Sequence, residues 1–237
     1  MHQIISLVSL CIAVVRPPVY TSSHSIHRRN YQFIIFQLLK PAGAIYFYKK
    51  LNDMTITYPH TIENCIGEKL IFHKVEQEPG GDKLIVENYV APGSGPLMHT
   101  HFLQDEALTV IEGRIGYQLL GQPEQYAGAG ETVLFKRGIP HKFWNAGEDT
   151  LHCKGWIQPA NTIVFFLSSI FAAQNKSGKS EPDQFDGAYL IKRYAAEYDL
   201  PEIPKFVKKV IIPATYYIGK LLGKYKHFKD APEPVKA

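Results

Sequence analysis

His99 and His101 stand one residue apart in the stretch Met98-His99-Thr100-His101-Phe102-Leu103-Gln104-Asp105-Glu106. In an extended backbone successive side chains alternate faces, so the two imidazoles point to one side and Thr100 points away. Glu106 comes onto the same site after a short irregular connection, and His141 offers a third imidazole further along the chain. Three neutral nitrogens and one carboxylate suit a borderline divalent transition metal, with room left in its shell for water or a substrate. Iron, manganese, nickel, cobalt and zinc are all candidates for such a donor set.

A single histidine in a chain that has ten is more often an ordinary surface or half-buried residue than a ligand. The spacing changes that reading. Gly93 precedes His99 by five intervening residues, four separate His101 from Glu106, and six separate Glu106 from Gly113. Gly130, Gly138, His141 and Asn145 then repeat the order of turn, turn, ligand and loop anchor.

These two constellations resemble the paired motifs of the cupins. The first, G-x5-H-x-H-x3-4-E-x6-G, is met at Gly93, His99, His101, Glu106 and Gly113. The second, G-x5-P-x-G-x2-H-x3-N, is met at Gly130, Gly138, His141 and Asn145, with Lys136 where the family usually has proline. The resemblance covers roughly residues 66–159. It implies a jelly-roll β-barrel with His99, His101, Glu106 and His141 as metal ligands. Cupins include dioxygenases, isomerases, decarboxylases and ligand-sensing domains, so a metal site is implied more firmly than a reaction. With this ligand set the leading reading is a quercetinase-like small-molecule dioxygenase, and the alternative is a non-catalytic metal- or ligand-binding sensory module. A sugar-nucleotide isomerase fits less well, because those relatives usually work through His and Tyr. One set of motifs implies one barrel.

The elements that must position these residues read as short strands punctuated by Gly and Pro. Leu70 to Val75, the alternating Leu84, Val86, Asn88 and Val90, Ile115 to Leu119, Thr132 to Phe135, His141 to Asn145 and Leu151 to Ile157 are strand candidates. Many short strands without helical periods between them indicate a sandwich or barrel. Alternation puts Leu97 inward with His99, and Phe143 and Asn145 inward with His141, while Lys142 and Trp144 face away. Phe143 and Tyr117 are the candidate substrate-contacting residues, the other inward side chains being core. Cys153, on the last strand, reads as a small buried hydrophobe.

After Pro159 the period changes. Ile163, Phe166, Leu167, Ile170 and Phe171 fall on one helical face. Asp186 is the expected cap of a second helix that ends before Leu200-Pro201. A third segment carries Val207, Val210, Ile211, Ala214, Ile218, Leu221, Leu222 and Tyr225 on one stripe, with Lys205, Lys208, Lys209, Lys220 and Lys224 opposite. Pro213 inside it predicts a kink or two abutting helices. The favoured reading packs the stripe on the barrel or on a second copy in a homodimer; an interfacial membrane helix is the second.

The expected division is therefore an extension over residues 1–53, a barrel over 54–160 and a helical region over 161–237. The fold class is mainly β with a C-terminal α-helical extension. Residues 1–52 contain no Asp or Glu, yet they carry Arg16, Arg28, Arg29, Lys40, Lys49 and Lys50. The apolar run from Ile4 to Val15 is short for a membrane span and lacks the flanks of a signal peptide, so a disordered extension or a mis-assigned start is the simpler account. The overall charge of +4 owes its sign to this extension, and the remainder carries about −2. No basic field there argues for nucleic acid. Cys11, Cys65 and Cys153 are too few and too scattered for a disulfide framework, which fits a reducing cytoplasm.

Overall fold

The computed structural model describes residues 56–235, and the expectations for residues 1–53 lie outside them. Ten strands come first: β1 His60–Glu63, β2 Glu68–Glu76, β3 Lys83–Val90, β4 Thr100–His101, β5 Asp105–Glu112, β6 Arg114–Leu119, β7 Gln125–Gly128, β8 Thr132–Phe135, β9 His141–Asn145 and β10 Leu151–Gln158. They are followed by helices α1 Ile163–Ser177 and α2 Gln184–Arg193, a last short strand β11 Tyr198–Asp199, a π-helical turn Val207–Ile211 and helix α3 Ile212–Leu221. The molecule is mainly β with helices after the strands, as the turn-and-alternation pattern indicates.

One sheet has the order β1-β2-β3-β10-β5-β8, and a second has the order β7-β6-β9, all antiparallel. Their inward side chains form one buried cluster that includes Val90, Leu108, Val110, Ile115, Phe135 and Phe143. Cys153 belongs to it, and burial pushes its thiol up to about 12, so it packs as a small hydrophobe and is no nucleophile at neutral pH. Trp144 lies on the outside, against Gly116 and under Lys142. Gly155 in β10 has no room for a side chain, because a Cβ there would run into the carbonyl of Ala107 on β5.

A second buried cluster joins Phe72, Leu84, Val86 and Ile157 of the large sheet to Ile163, Val164 and Phe165 of α1. Val86 and Val90 share a face of β3, since residues two apart point the same way. The inner face of the large sheet is therefore covered by the second sheet at one end and by α1 at the other. α1 is tied along β1 by hydrogen bonds from His60 to Ser168 (3.1 Å) and from Asn175 Nδ2 to the Glu63 carbonyl (2.8 Å). It stops at Gly178, whose φ of 67° is the left-handed conformation that closes a helix at little cost for glycine.

Three local expectations are corrected. The cap of α2 is Asp183, whose carboxylate accepts from the Phe185 and Asp186 amides; Asp186 instead turns to Lys176 at 3.0 Å. Leu97 is 58% exposed, because the segment before His99 is irregular and alternation does not hold through it; Met98 is the buried neighbour. The stripe after Val207 does not pack as one face. The π-helical turn shifts the period, Pro213 opens α3, and Ile212 is buried while Val210, Ile218, Leu221 and Leu222 are exposed. Among the described residues no helix is long and apolar enough to cross a membrane.

Candidate metal centre

β4 and β5 are brought to the site by backbone pairings on both sides. His99 and His141 exchange amide hydrogen bonds at 2.9 and 2.8 Å, which lays the first motif along β9. On the other side β4 pairs with β11, with Tyr198 opposite His101, and the Phe102 amide donates to the Glu197 carbonyl at 2.8 Å. Gly138, with a φ of 78° that favours glycine, turns its amide onto the His101 carbonyl at 2.7 Å. Lys136, standing in the usual proline position, and Arg137 both reach Asp105, so an ionic clamp holds this turn where a ring would.

The four side chains converge. One donor atom each from His99, His101, Glu106 and His141 lies within 4.8 Å of the others. His101, Glu106 and His141 are buried and His99 is half-buried. Nδ1 of His99 sits 2.7 Å from the Leu97 carbonyl and Nδ1 of His141 sits 2.9 Å from that of Ile139. A carbonyl only accepts, so both Nδ1 atoms carry a proton and both Nε2 atoms are the ones turned to the cluster. His141 Nε2 and His101 Nδ1 are buried without a hydrogen-bond partner among the described residues. They lie 3.6 and 3.8 Å from Glu106 Oε2, beyond hydrogen-bond reach.

Burial holds the His99 imidazole down at about 3, with His141 and His101 adding to the effect. Burial also brings His101 down to about 4, although Glu106 pulls the other way. Burial raises Glu106, but the imidazoles around it, His141 foremost, more than offset this and hold its carboxyl at about 2. At neutral pH His99 and His101 are therefore neutral imidazoles and Glu106 is a carboxylate, with orphaned nitrogens of His101 and His141 close to it. Such a donor set fits a divalent transition metal, which would satisfy groups that otherwise cost free energy in the interior.

The cluster opens on a cavity of about 190 Å³. Phe143 lines it. Tyr117 is not among its lining residues: it packs edge-on to Phe135, and its hydroxyl donates to Gln125 at 2.9 Å on the outer side. Sequence reasoning missed Tyr198, which lines the cavity beside His101 at a ring separation of 5.7 Å, and Glu197 behind it. Glu197 is fully buried; its carboxylate accepts from Thr162 Oγ1 (3.0 Å), from the Val235 amide (2.8 Å) and from Gln104 Nε2 (3.3 Å). The available signal was a polar Glu-Tyr-Asp between two helical segments, which carries no period.

Residues 87–157 match the family model described as the cupin domain. This chain carries a cupin domain. Among curated proteins none matches the chain. Solved structures are similar to part of the chain at low identity. A conserved protein with a double-stranded beta-helix domain from Klebsiella pneumoniae is 24% identical over 37% of this chain and 70% of its own, with a TM-score of 0.33. A cupin-superfamily sugar phosphate isomerase from Silicibacter pomeroyi is 19% identical over 39% and 60%, with a TM-score of 0.33. An oxalate oxidase is 22% identical over 40% and 54%, with a TM-score of 0.34. The match therefore spans less than two thirds of those two enzymes, and none of these likenesses bears on the reaction of this cupin.

Proposed function

We propose that His99, His101, Glu106 and His141 hold one divalent transition metal, and that this cupin is a quercetinase-like dioxygenase acting on a small molecule bound in the adjoining cavity. The observation that carries the reading is the convergence of four donor atoms within 4.8 Å beside an apolar cavity, with orphaned nitrogens among them. When bound, a redox-active metal supplies electron transfer to a dioxygen-dependent cleavage, and any divalent metal supplies Lewis acidity. The chain's own residues supply the rest. The Leu97 and Ile139 carbonyls fix the imidazole tautomers, so the donors are oriented before a metal arrives. Phe143, with Leu108 and Phe166, makes an apolar wall that keeps water from the reacting end of a bound molecule. A cytoplasmic location belongs to the same proposal, supported by Cys65 and Cys153 forming no disulfide among the described residues.

The test is metal analysis of protein purified without added metal, followed by oxygen uptake with flavonols, catechols and 1,3-dicarbonyl compounds. Uptake that disappears in Glu106→Gln supports the reading. Bound metal with no uptake across the panel leaves the non-catalytic binding module.

A further inference from the structure

We propose that the cavity between α1 and the inner face of β2 and β3 binds an elongated, largely apolar chain whose small chelating head reaches the histidine cluster. This rests, for the head, on the metal reading above; the tail is argued from the cavity alone. The cavity extends from His99, His101 and Glu106 at one end to Glu68 and Gln174 at the other. α1 lines it with Ile163, Phe166, Leu167, Ile170 and Phe171, so the helical stripe faces a gap for its whole length. From Ile163 to Gln174 this helix advances about 16 Å, at roughly 1.5 Å per residue. The opposite wall is Leu70, Val86 and Val90 of the sheet. Protein interiors close-pack, and the first turn of α1 already buries Phe72 and Leu84 in one cluster with Ile163, Val164 and Phe165. The space left beside Leu167 and Ile170 is therefore a built feature of this helix on this sheet. A gap bordered by apolar side chains along successive turns of the helix suits an acyl or isoprenoid-like chain.

Polar groups along the gap say what else the molecule carries. Asn88 is 6% exposed, lines the cavity, and its Oδ1 has no hydrogen-bond partner among the described residues. A buried acceptor left unpaired is costly, so a hydroxyl or N–H part-way along the chain is the group it recognises. At the far end Glu68 is held by Asn64 Nδ2 at 2.6 Å, and Asn64 in turn bonds Gln174 at 3.0 Å, which closes the gap with a polar floor. The head, at the other end, meets neutral imidazoles and one carboxylate. With a divalent metal added the local charge is +1, which favours an anionic chelating oxygen pair such as an enolised dicarbonyl or a hydroxamate.

Two homologous series test this by calorimetry on metal-loaded protein: n-alkyl hydroxamates from acetohydroxamate to dodecanohydroxamate, and n-alcohols of matching length. Affinity in both is expected to climb about fourfold per methylene, the value for burying one CH₂ in an apolar site, and then to level off when the chain reaches Glu68 and Gln174. Ile170→Trp should move the levelling-off to shorter chains. The unaltered protein's length series stands by itself should that variant fold poorly. Affinity that is flat with length in both series would overturn the proposal and leave the metal reading intact. Hydroxamates no tighter than the matching alcohols, with the climb preserved, would uphold the apolar site and overturn the head-group placement together with the metal reading.

Discussion

Arg137 grips Asp105 three times: its amide and Nε reach Oδ1 at 2.8 and 3.2 Å, and its terminal nitrogen reaches Oδ2 at 3.2 Å. Asp105 is the residue before Glu106, and Arg137 precedes the glycine whose amide holds the His101 strand. The pair thus links the two motifs at the mouth of the cluster. Arg137 holds the Asp105 carboxyl below its usual range.

Asp105→Asn is expected to weaken metal binding by about tenfold to a hundredfold while costing little global stability, because it loosens a support of the ligands and leaves the ligands themselves in place. Competition with a chelator of known affinity, read beside a thermal melt, separates the two effects. A melt that falls by many degrees with unchanged metal affinity would show that the clamp serves the fold alone.

His101→Ala removes one of four donors and is expected to reduce the metal content of purified protein at least tenfold. Glu106→Gln keeps the shape and removes the charge, so it should be nearly as damaging. Elemental analysis after exhaustive dialysis checks both, and full metal occupancy in either variant would refute the assigned ligand set.

Acid should reveal the network on the outer face of β3. Burial raises the Glu87 carboxyl, but hydrogen bonds with His152 (2.6 Å), His73 (2.7 Å) and Tyr89 (3.2 Å) outweigh it and bring it below its ordinary 4.5. A depressed folded value means that the contribution is complete above the unfolded value near 4.5 and is lost as pH falls below it. The melting temperature of Glu87→Gln should therefore lie below that of the parent at neutral pH, and the gap should shrink as pH drops from 5 to about 3. A gap that widens with acid would reverse the argument.

The exposed apolar residues of the C-terminal helix imply a partner surface. Leu221 is 88% exposed, and Val210, Ile218 and Leu222 are exposed beside it. Leaving such a stripe in water is unfavourable by roughly 25 cal/mol per Å², and a second copy is the expected cover. Light scattering should give a dimer that Leu221→Lys weakens. Monomeric protein that floats with anionic vesicles would favour the membrane-surface alternative instead.

Much of this architecture is written in the sequence at the level of period and turn. Thr132–Phe135 and His141–Asn145 are strands over the very residues their alternation marks, and the glycines of the two motifs sit at positive φ. The four candidate ligands are legible because three of them lie on strands or at a strand end, where spacing dictates direction. What is illegible lies where no period exists. β11 is two residues long, so nothing announced that Tyr198 would pair with His101. Leu97 falls in an irregular segment, and Asp183 competes with Asp186 for a cap that either residue type satisfies. Pro213 marks the break in the segment after Val207, but no residue type there signals that the turn before it is π-helical, which shifts the stripe off one face. Tyr117 does pack on the inward set that parity gives it, but its hydroxyl reaches Gln125 on the neighbouring strand and its ring does not line the cavity.

The bond from the Val235 amide to the buried Glu197 reaches the neighbourhood of the cluster from the far end of the chain. Glu197 steadies Gln104 within the first motif, and its own carbonyl holds the residue after His101. Residue 235 is thus mechanically part of the site, although it is 94 positions away from His141 in sequence. A purification tag fused after Ala237 would begin two residues beyond this latch, so a cleavable tag at the other end is the safer handle for any measurement of metal affinity.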